Sequence, residues 1–130
     1  MIDSLIVSPA VHTWVGILVI AAAVVAAVVT GMQARKRQSP DKTTHLVMIL
    51  AQVALMLQVL VGIKLLDQGL GAFQLFIHYV GGLGAFFFFL LYYWLQPKTA
   101  PAQSRLAFIL SFLALLFVLQ TFFIGQAFVS

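Results

Sequence analysis

Four apolar runs, each about as long as a membrane-spanning helix, dominate this chain of 130 residues. They cover about residues 10–32, 45–66, 73–95 and 105–128. A helix needs roughly 20 apolar residues to cross the hydrocarbon core of a bilayer. The sequence therefore predicts an all-α fold, an integral membrane four-helix bundle that forms one membrane domain over residues 1–130. Because short connections force consecutive helices to run antiparallel, we expect up-down topology.

The composition agrees with lipid as the solvent. Hydrophobic residues make up 63% of the chain and charged residues only 8%, whereas soluble domains carry about 25% charged residues. The mean hydropathy is +1.11. The chain contains no cysteine, which excludes disulfides, thiolate metal sites and covalent attachment of c-type haem.

The basic residues predict the orientation in the membrane. Six of the seven flank the first and third connections, and only Lys64 lies near the second. The positive-inside rule then places loops 33–44 and 96–105 in the cytoplasm and both termini outside. We expect a bacterial or archaeal plasma membrane. The pI near 9.9 reflects this membrane-topology pattern and not a nucleic-acid partner.

Two of the three histidines are predicted to lie at similar depth. His12 enters the first helix and His78 enters the third helix, both from the outer side. They are expected within about one helical turn of each other. His45 begins the second helix at the opposite surface, where we expect a solvated residue near the helix cap. An ionisable residue inside a membrane is by default a candidate for function.

A pair of imidazoles on two non-adjacent helices can ligate one haem iron from opposite sides. Glycine follows each histidine by four residues, at Gly16 and Gly82, and therefore lies on the same helix face. These glycines would give clearance to a flat macrocycle. Helix packing through small residues also explains them, and an interfacial position also explains His12.

Further polar residues fall in the same outer half. Gln58 and Gln120 lie past the midplane of the second and fourth helices, and either could form a hydrogen bond with a quinone. Lys64 could pair with a haem propionate, or it could be an ordinary interfacial lysine. Gln52 lies nearer the middle, where an interhelical hydrogen bond is expected.

Short similarities suggest two related hairpins. The first and third helices contain "HTWVG" and "HYVGG", and the second and fourth contain "LQVLVG" and "LQTFFIG". Each hairpin would then consist of a histidine helix, a basic loop and a glutamine helix. A composition as biased as this one also produces such matches by chance.

These motifs resemble those of heme A synthases over roughly residues 9–95. "HTWVGILVI" resembles the "HRLVGLLVL"-type start of a haem-ligand helix in that family. "LQVLVGIKLL" and "FQLFIHYVGG" resemble its "Q-x-x-LG-x-x-T-V … H-x-x-x-A" hairpin. Heme A synthases consist of two four-helix halves with a histidine pair in each, and half-sized members exist. The resemblance implies that His12 and His78 are haem ligands.

The chain departs from the catalytic half of that family at two places. Pro9 and Thr13 stand where the family has a glutamate before the first histidine and an arginine after it. The chain contains no glutamate and lacks the cysteine pair of many members. The resemblance therefore implies haem binding more than oxidation of a methyl group, and enzymatic activity stays open.

Three functions follow from these features. The first is a membrane protein with b-type haem, for electron transfer or haem handling, as a small subunit or a homo-oligomer. The second is a non-enzymatic accessory subunit of a larger respiratory complex. The third is a quinone-binding protein. The electron partner and the packing of the first helix against the third are not determined by the sequence.

Overall fold

The computed structural model of the chain describes residues 4–70 and 76–129, with side chains to residue 127. Within these ranges it contains four helices and no strand: α1 (Pro9–Lys36), α2 (Lys42–Asp67), α3 (Phe76–Leu95) and α4 (Ala100–Val129). All four are long and apolar enough to cross a membrane. The predicted all-α fold with four membrane-length helices is confirmed.

The helix ends extend beyond the apolar runs because local capping, and not hydropathy, decides where a helix stops. Helix α1 ends where Arg37 adopts a left-handed conformation with φ of 56° and donates its N–H to the Ala34 carbonyl. Helix α2 begins at its cap Asp41, whose carboxylate accepts the Thr44 N–H at 2.8 Å. Helix α4 begins five residues earlier than predicted, because Pro101 is tolerated in a first helical turn. The predicted start at residue 73 lies outside the described residues.

Contacts between the helices establish up-down topology. The start of α1 contacts the end of α2 through His12 and Gly62, and the start of α3 contacts the end of α4 through His78 and Gly125. Helix α1 packs against α2 and α4, and α3 packs against α4. The α2–α3 contact is much less extensive. Helices α1 and α3 therefore lie on one diagonal of the bundle.

Small side chains fill the interior, as is typical of membrane bundles. Fully buried alanines occur on all four helices, and the largest fully buried side chains include Phe89 and Met48. Interior positions recur every three or four residues, so each helix turn contributes one residue to the core. Large apolar side chains cover the outer surface, for example Trp14, Leu18 and Phe76.

The two ends of the bundle differ in composition. We call the end where α1 and α3 begin and α2 and α4 finish the histidine end, because it contains His12 and His78. We call the opposite end the basic end. Its two connections and the adjoining helical turns contain six basic residues, namely Arg35, Lys36, Arg37, Lys42, Lys98 and Arg105.

Candidate functional site

The imidazoles of His12 and His78 meet inside the histidine end. Their ring centroids are 5.9 Å apart, and the ring planes are inclined by 62°. Both side chains are half-buried. The two rings come from diagonal helices, so the fold brings together the pair that the sequence predicts. His45 lies at the basic end, with its ring centroid 6.0 Å from that of Tyr92.

His78 is held firmly by α4. Its Nδ1 lies 2.8 Å from the backbone carbonyl oxygen of Thr121. A carbonyl only accepts hydrogen bonds, so Nδ1 carries the proton and donates it. In the neutral ring, the lone pair is then on Nε2. Gly125 makes room for this position, since a Cβ there would lie 2.9 Å from Cε1 of His78.

His12 is held by α2 in a different way. Its Nε2 lies 3.3 Å from the side-chain Nε2 of Gln58. Gly62 makes room for the ring, since a Cβ there would lie 3.3 Å from Cε1 of His12. The other ring nitrogen, Nδ1, is buried and has no hydrogen-bond partner in the described part of the chain.

The glycines that face the imidazoles are therefore Gly62 and Gly125, which the sequence analysis did not identify as site residues. Their signal was present in "LQVLVG" and "LQTFFIG", where each glycine stands near the end of a helix that follows a histidine helix. A hydrogen-bonding residue precedes each glycine by one turn, Gln58 on α2 and Thr121 on α4. The two hairpins thus hold their histidines in equivalent places.

Gly16 and Gly82, which were predicted to leave room for a macrocycle, differ in how much space adjoins them. A Cβ on Gly16 would lie 3.1 Å from Nε2 of Gln58 and 3.4 Å from the Phe122 ring, so these side chains already use that space. A Cβ on Gly82 would meet nothing within 4 Å. Gly82 lies on the same face of α3 as His78 and the buried Ala85. Open space therefore adjoins Gly82 on the face of α3 that carries His78.

Small and polar residues replace apolar side chains in the two interior layers at this end. The first layer consists of His12, Gly62, His78 and Gly125, and the second consists of Gly16, Gln58, Gly81 and Thr121, since a Cβ on Gly81 would collide with the Thr121 hydroxyl. The next layer toward the basic end is apolar and contains Val19, Leu55, Ala85 and Val118. The polar layers are thus separated from the rest of the bundle by a hydrophobic layer.

Hydrogen bonding in these layers is incomplete. His12 Nδ1, Gln58 Oε1 and Thr121 Oγ1 are buried without a partner among the described residues. Each buried polar atom without a partner costs about 1–3 kcal/mol. Such atoms at one place indicate a site that can accept a polar or metal-containing guest.

The other predicted polar residues lie outside this pair. The Lys64 Nζ forms an ion pair with the Asp67 carboxylate at 2.9 Å, so it already has a carboxylate partner within α2. Gln52 contacts the Tyr93 hydroxyl at 3.3 Å, which matches the expected interhelical hydrogen bond. Gln120 is exposed on the surface of α4, away from the two imidazoles.

The donor set limits the kind of metal site. In the described part of the chain, no group of three or more His, Cys, Asp or Glu side chains could hold a metal ion. A zinc site normally needs at least three protein ligands. Two imidazoles suffice for haem, because the porphyrin supplies the remaining four ligands.

A cavity lies at the basic end. It has a volume of about 310 Å³ and is lined by His45, Tyr92, Tyr93, Gln96, Pro97 and Gln103. His45 therefore belongs to a separate location and does not contribute to the histidine pair. No protein-family model matches this chain, and no curated protein or solved structure was found to be similar to it.

Proposed function

We propose that this chain is a membrane protein that binds one b-type haem between His12 and His78, for electron transfer or haem handling. The observation that supports the proposal best is the 5.9 Å separation of the two ring centroids on diagonal helices. If two imidazoles bound one haem iron from opposite sides, each iron–nitrogen bond would be roughly 2 Å long. With the distance from each nitrogen to its ring centre added, the two ring centroids would be about 6 Å apart.

The hydrogen bond of His78 also suits a haem ligand. A ligating histidine usually donates its other ring N–H to a carbonyl or carboxylate, which fixes the tautomer and the ring orientation. The Thr121 carbonyl accepts such a bond from Nδ1, so Nε2 is free to be the ligand atom. The absence of cysteine favours a non-covalent, b-type haem.

The clearance for the macrocycle is present on one side only. The space beside Gly82 is open, and α2 contacts α3 much less extensively than α4 does. On the other side, Gln58 fills the space beside Gly16. The Gln58 side chain must therefore move when haem binds.

Haem bound between these residues would supply one-electron transfer between Fe(III) and Fe(II). His12 and His78 would hold it, and Thr121 would orient His78. The apolar layer of Val19, Leu55 and Val118 would limit access of water from the middle of the bundle. Lys64 would have to leave its ion pair with Asp67 in order to pair with a haem propionate.

The resemblance to heme A synthases supports haem binding and does not extend to their oxidation chemistry. The positions of the family's glutamate and arginine are Pro9 and Thr13, neither of which can act as an acid or a base. We therefore propose no oxidation of a methyl group. The clustering of basic residues supports cytoplasmic placement of the basic end and outside placement of both termini.

An absorption spectrum tests the proposal. The protein is purified in detergent, supplied with haem and measured in its oxidised and dithionite-reduced forms. We expect the sharp Soret and α bands of a low-spin b-type haem. His78→Ala removes them, whereas the control His45→Ala leaves them unchanged. A protein that stays colourless with excess haem, or one in which His45→Ala removes the bands, contradicts the proposal.

Quinone binding at the same layers is a second candidate. Gln58 Oε1 and Thr121 Oγ1 are buried without partners in the described residues. The Thr121 hydroxyl could donate to a carbonyl oxygen of a quinone, and Gln58 Oε1 could accept from a hydroxyl of the reduced quinol. A colourless protein that retains quinone through purification favours this candidate. A colourless protein without quinone favours an accessory subunit of a larger complex.

A further inference from the structure

The cavity of about 310 Å³ at the basic end has polar walls from three helices. Its lining residues come from the first turn of α2, the last turn of α3, the connection that follows α3, and the first turn of α4. None of these lining residues is acidic. Ligand pockets have volumes of about 300–1,000 Å³, so a cavity of this size accommodates one small polar group.

Tyr92 is the most deeply buried of the lining residues, with only 8% of its surface exposed. Its hydroxyl forms no hydrogen bond with the described residues, and protein does not enclose the hydroxyl oxygen completely. The ring of His45, whose centroid is 6.0 Å from that of Tyr92, also forms no hydrogen bond with a described residue. Because buried polar groups are normally paired, these two side chains indicate a polar guest in the cavity.

The other walls of the cavity are held in place by the protein. The Gln103 amide donates to the Pro97 carbonyl at 3.0 Å, which fixes the connection against α4. The Tyr93 oxygen accepts from the Gln52 amide at 3.3 Å, so the Tyr93 hydroxyl proton remains available to a guest. Gln96 has a φ of 34°, a left-handed conformation that is uncommon for a residue with a side chain and that concentrates at binding sites. The cavity is therefore preformed and offers hydrogen-bond donors.

The surroundings of the cavity carry a surplus of positive charge. The connections and adjoining helical turns of the basic end contain six basic residues and one acidic residue, Asp41, whose carboxylate caps α2. Lys42 lies one turn before His45 on the same face of α2. Lys98 directly follows Pro97 in the cavity wall. A guest with negatively charged oxygen atoms is therefore favoured over a neutral or cationic one.

The cavity lies at the ends of the apolar spans, where the headgroups of a bilayer meet a membrane helix. The exposed Trp94 beside it is typical of this boundary. We propose that the cavity binds the phosphate of an anionic phospholipid headgroup, with Tyr92, His45 and Gln96 as hydrogen-bond partners, while the acyl chains stay in the bilayer. This inference does not rest on the proposed function, because the histidine pair lies at the opposite end of the bundle.

Lipid titration of the detergent-purified protein tests the inference. The probes are phosphatidylglycerol, phosphatidylcholine and inorganic phosphate, and the readouts are the lipids retained in native mass spectra and the melting temperature. We expect one phosphatidylglycerol to bind saturably and to raise the melting temperature, since a ligand of the folded state stabilises it. Phosphatidylcholine, whose choline offsets the phosphate charge, should bind more weakly. Inorganic phosphate, which has no apolar anchor, should have no effect at millimolar concentration.

Two single substitutions remove polar groups from the cavity wall. Tyr92→Phe keeps the buried ring and removes the hydroxyl, and Gln96→Ala shortens an exposed side chain. Each should lower the affinity for phosphatidylglycerol about 10-fold or more, the value of a hydrogen bond to a charged group. The matched control Tyr79→Phe, at the other end of α3, should leave this affinity unchanged. His45→Ala should weaken phosphatidylglycerol binding and leave haem uptake as it is.

Three results overturn the inference: equal affinities for the two lipids, unchanged phosphatidylglycerol affinity in both Tyr92→Phe and Gln96→Ala, or equal stabilisation by inorganic phosphate, which assigns the cavity to a soluble phosphorylated compound. A protein that retains a quinone instead, and releases it in Tyr92→Phe, overturns it as well. All of these measurements are made without haem. A wild-type protein that takes up no haem therefore contradicts the proposed function and leaves the lipid site standing.

Discussion

The two ends of the bundle use polar residues in opposite ways. At the basic end, Asp41 accepts hydrogen bonds from the Thr44 backbone N–H at 2.8 Å and from its hydroxyl at 2.7 Å. Gln33 donates to the Ser39 carbonyl at 3.2 Å. These polar side chains complete the ends of helices and connections, and they are accounted for by the fold alone.

At the histidine end, polar atoms exceed the partners that the fold provides. Three of the four buried side-chain atoms without a partner in the described residues belong to His12, Gln58 and Thr121. A glycine adjoins each of these residues: a Cβ on Gly62 would meet His12, one on Gly16 would meet Gln58, and one on Gly81 would meet Thr121. A bundle selected for stability alone would fill these layers with apolar side chains. Helix termination therefore accounts for the polar capping residues of the basic end, whereas the polar residues of the histidine end are accounted for by a bound guest only if the proposed function is correct.

The largest expected effect comes from filling the space that His78 uses. In Gly125→Val, the Cβ alone would lie 2.9 Å from Cε1 of His78, so the ring must leave the Thr121 carbonyl. We expect haem binding to be lost and the stability to fall by about 1–3 kcal/mol, as in other overpacked sites. Haem titration and thermal unfolding in detergent measure the two effects. Wild-type haem affinity in this variant would show that His78 need not occupy the observed position.

Gly82→Leu separates haem binding from folding. No atom lies within 4 Å of a Cβ at this position, so the stability should change by less than about 1 kcal/mol. If the macrocycle uses this space, the haem affinity should fall at least about 10-fold, which corresponds to 1.4 kcal/mol. Gly82→Ala is the control and should retain most of the affinity. Unchanged affinity with leucine would place the macrocycle elsewhere.

A pair of threonine substitutions compares the two ends directly. Thr44→Val removes a hydroxyl that is bonded to Asp41 and should lower the melting temperature. Thr121→Val removes a buried hydroxyl without a partner in the described chain and keeps the backbone carbonyl that holds His78. It should be neutral or stabilising, within about 1 kcal/mol. Destabilisation by Thr121→Val beyond that range would mean that the Thr121 hydroxyl has a hydrogen-bond partner when the protein is in the membrane.

The smallest effect is the pH dependence of the α2 cap. Hydrogen bonds from the Thr44 N–H and hydroxyl lower the pKa of Asp41 below its ordinary value. The carboxylate therefore contributes stability above its unfolded-state pKa, and this contribution is lost as the pH falls through the lower folded-state pKa. The melting temperature should decrease more on acidification below about pH 4 in the wild type than in Asp41→Asn, which caps without titrating. Parallel curves would contradict this role of Asp41.

Hydropathy and charge predicted the four helices and the similar depth of His12 and His78, because helix rise fixes depth along a membrane helix. The packing that brings the two rings into contact was not determined by the sequence. Hydropathy and charge also did not predict which side chains hold each ring. Helical spacing alone favoured Gly16 and Gly82, but the imidazoles lean against Gly62 and Gly125 on neighbouring helices. The rotation of one helix against another depends on packing that periodicity does not encode.

The same limit applies to Thr121, whose contribution is a backbone carbonyl. Any residue type provides a backbone carbonyl, so no sequence motif could identify this acceptor. The start of α4 at Ala100 was missed for another reason. Hydropathy marks the apolar span and not the polar first turn that precedes it.

Electron paramagnetic resonance of the oxidised, haem-loaded protein tests the central claim most directly. Ligation by both His12 and His78 predicts a low-spin ferric signal in the wild type. The signal should change to high-spin in His12→Ala and disappear with the haem in His78→Ala. A low-spin signal that persists in both single variants, or a wild-type protein that binds no haem, would contradict the claim that these two histidines form the site.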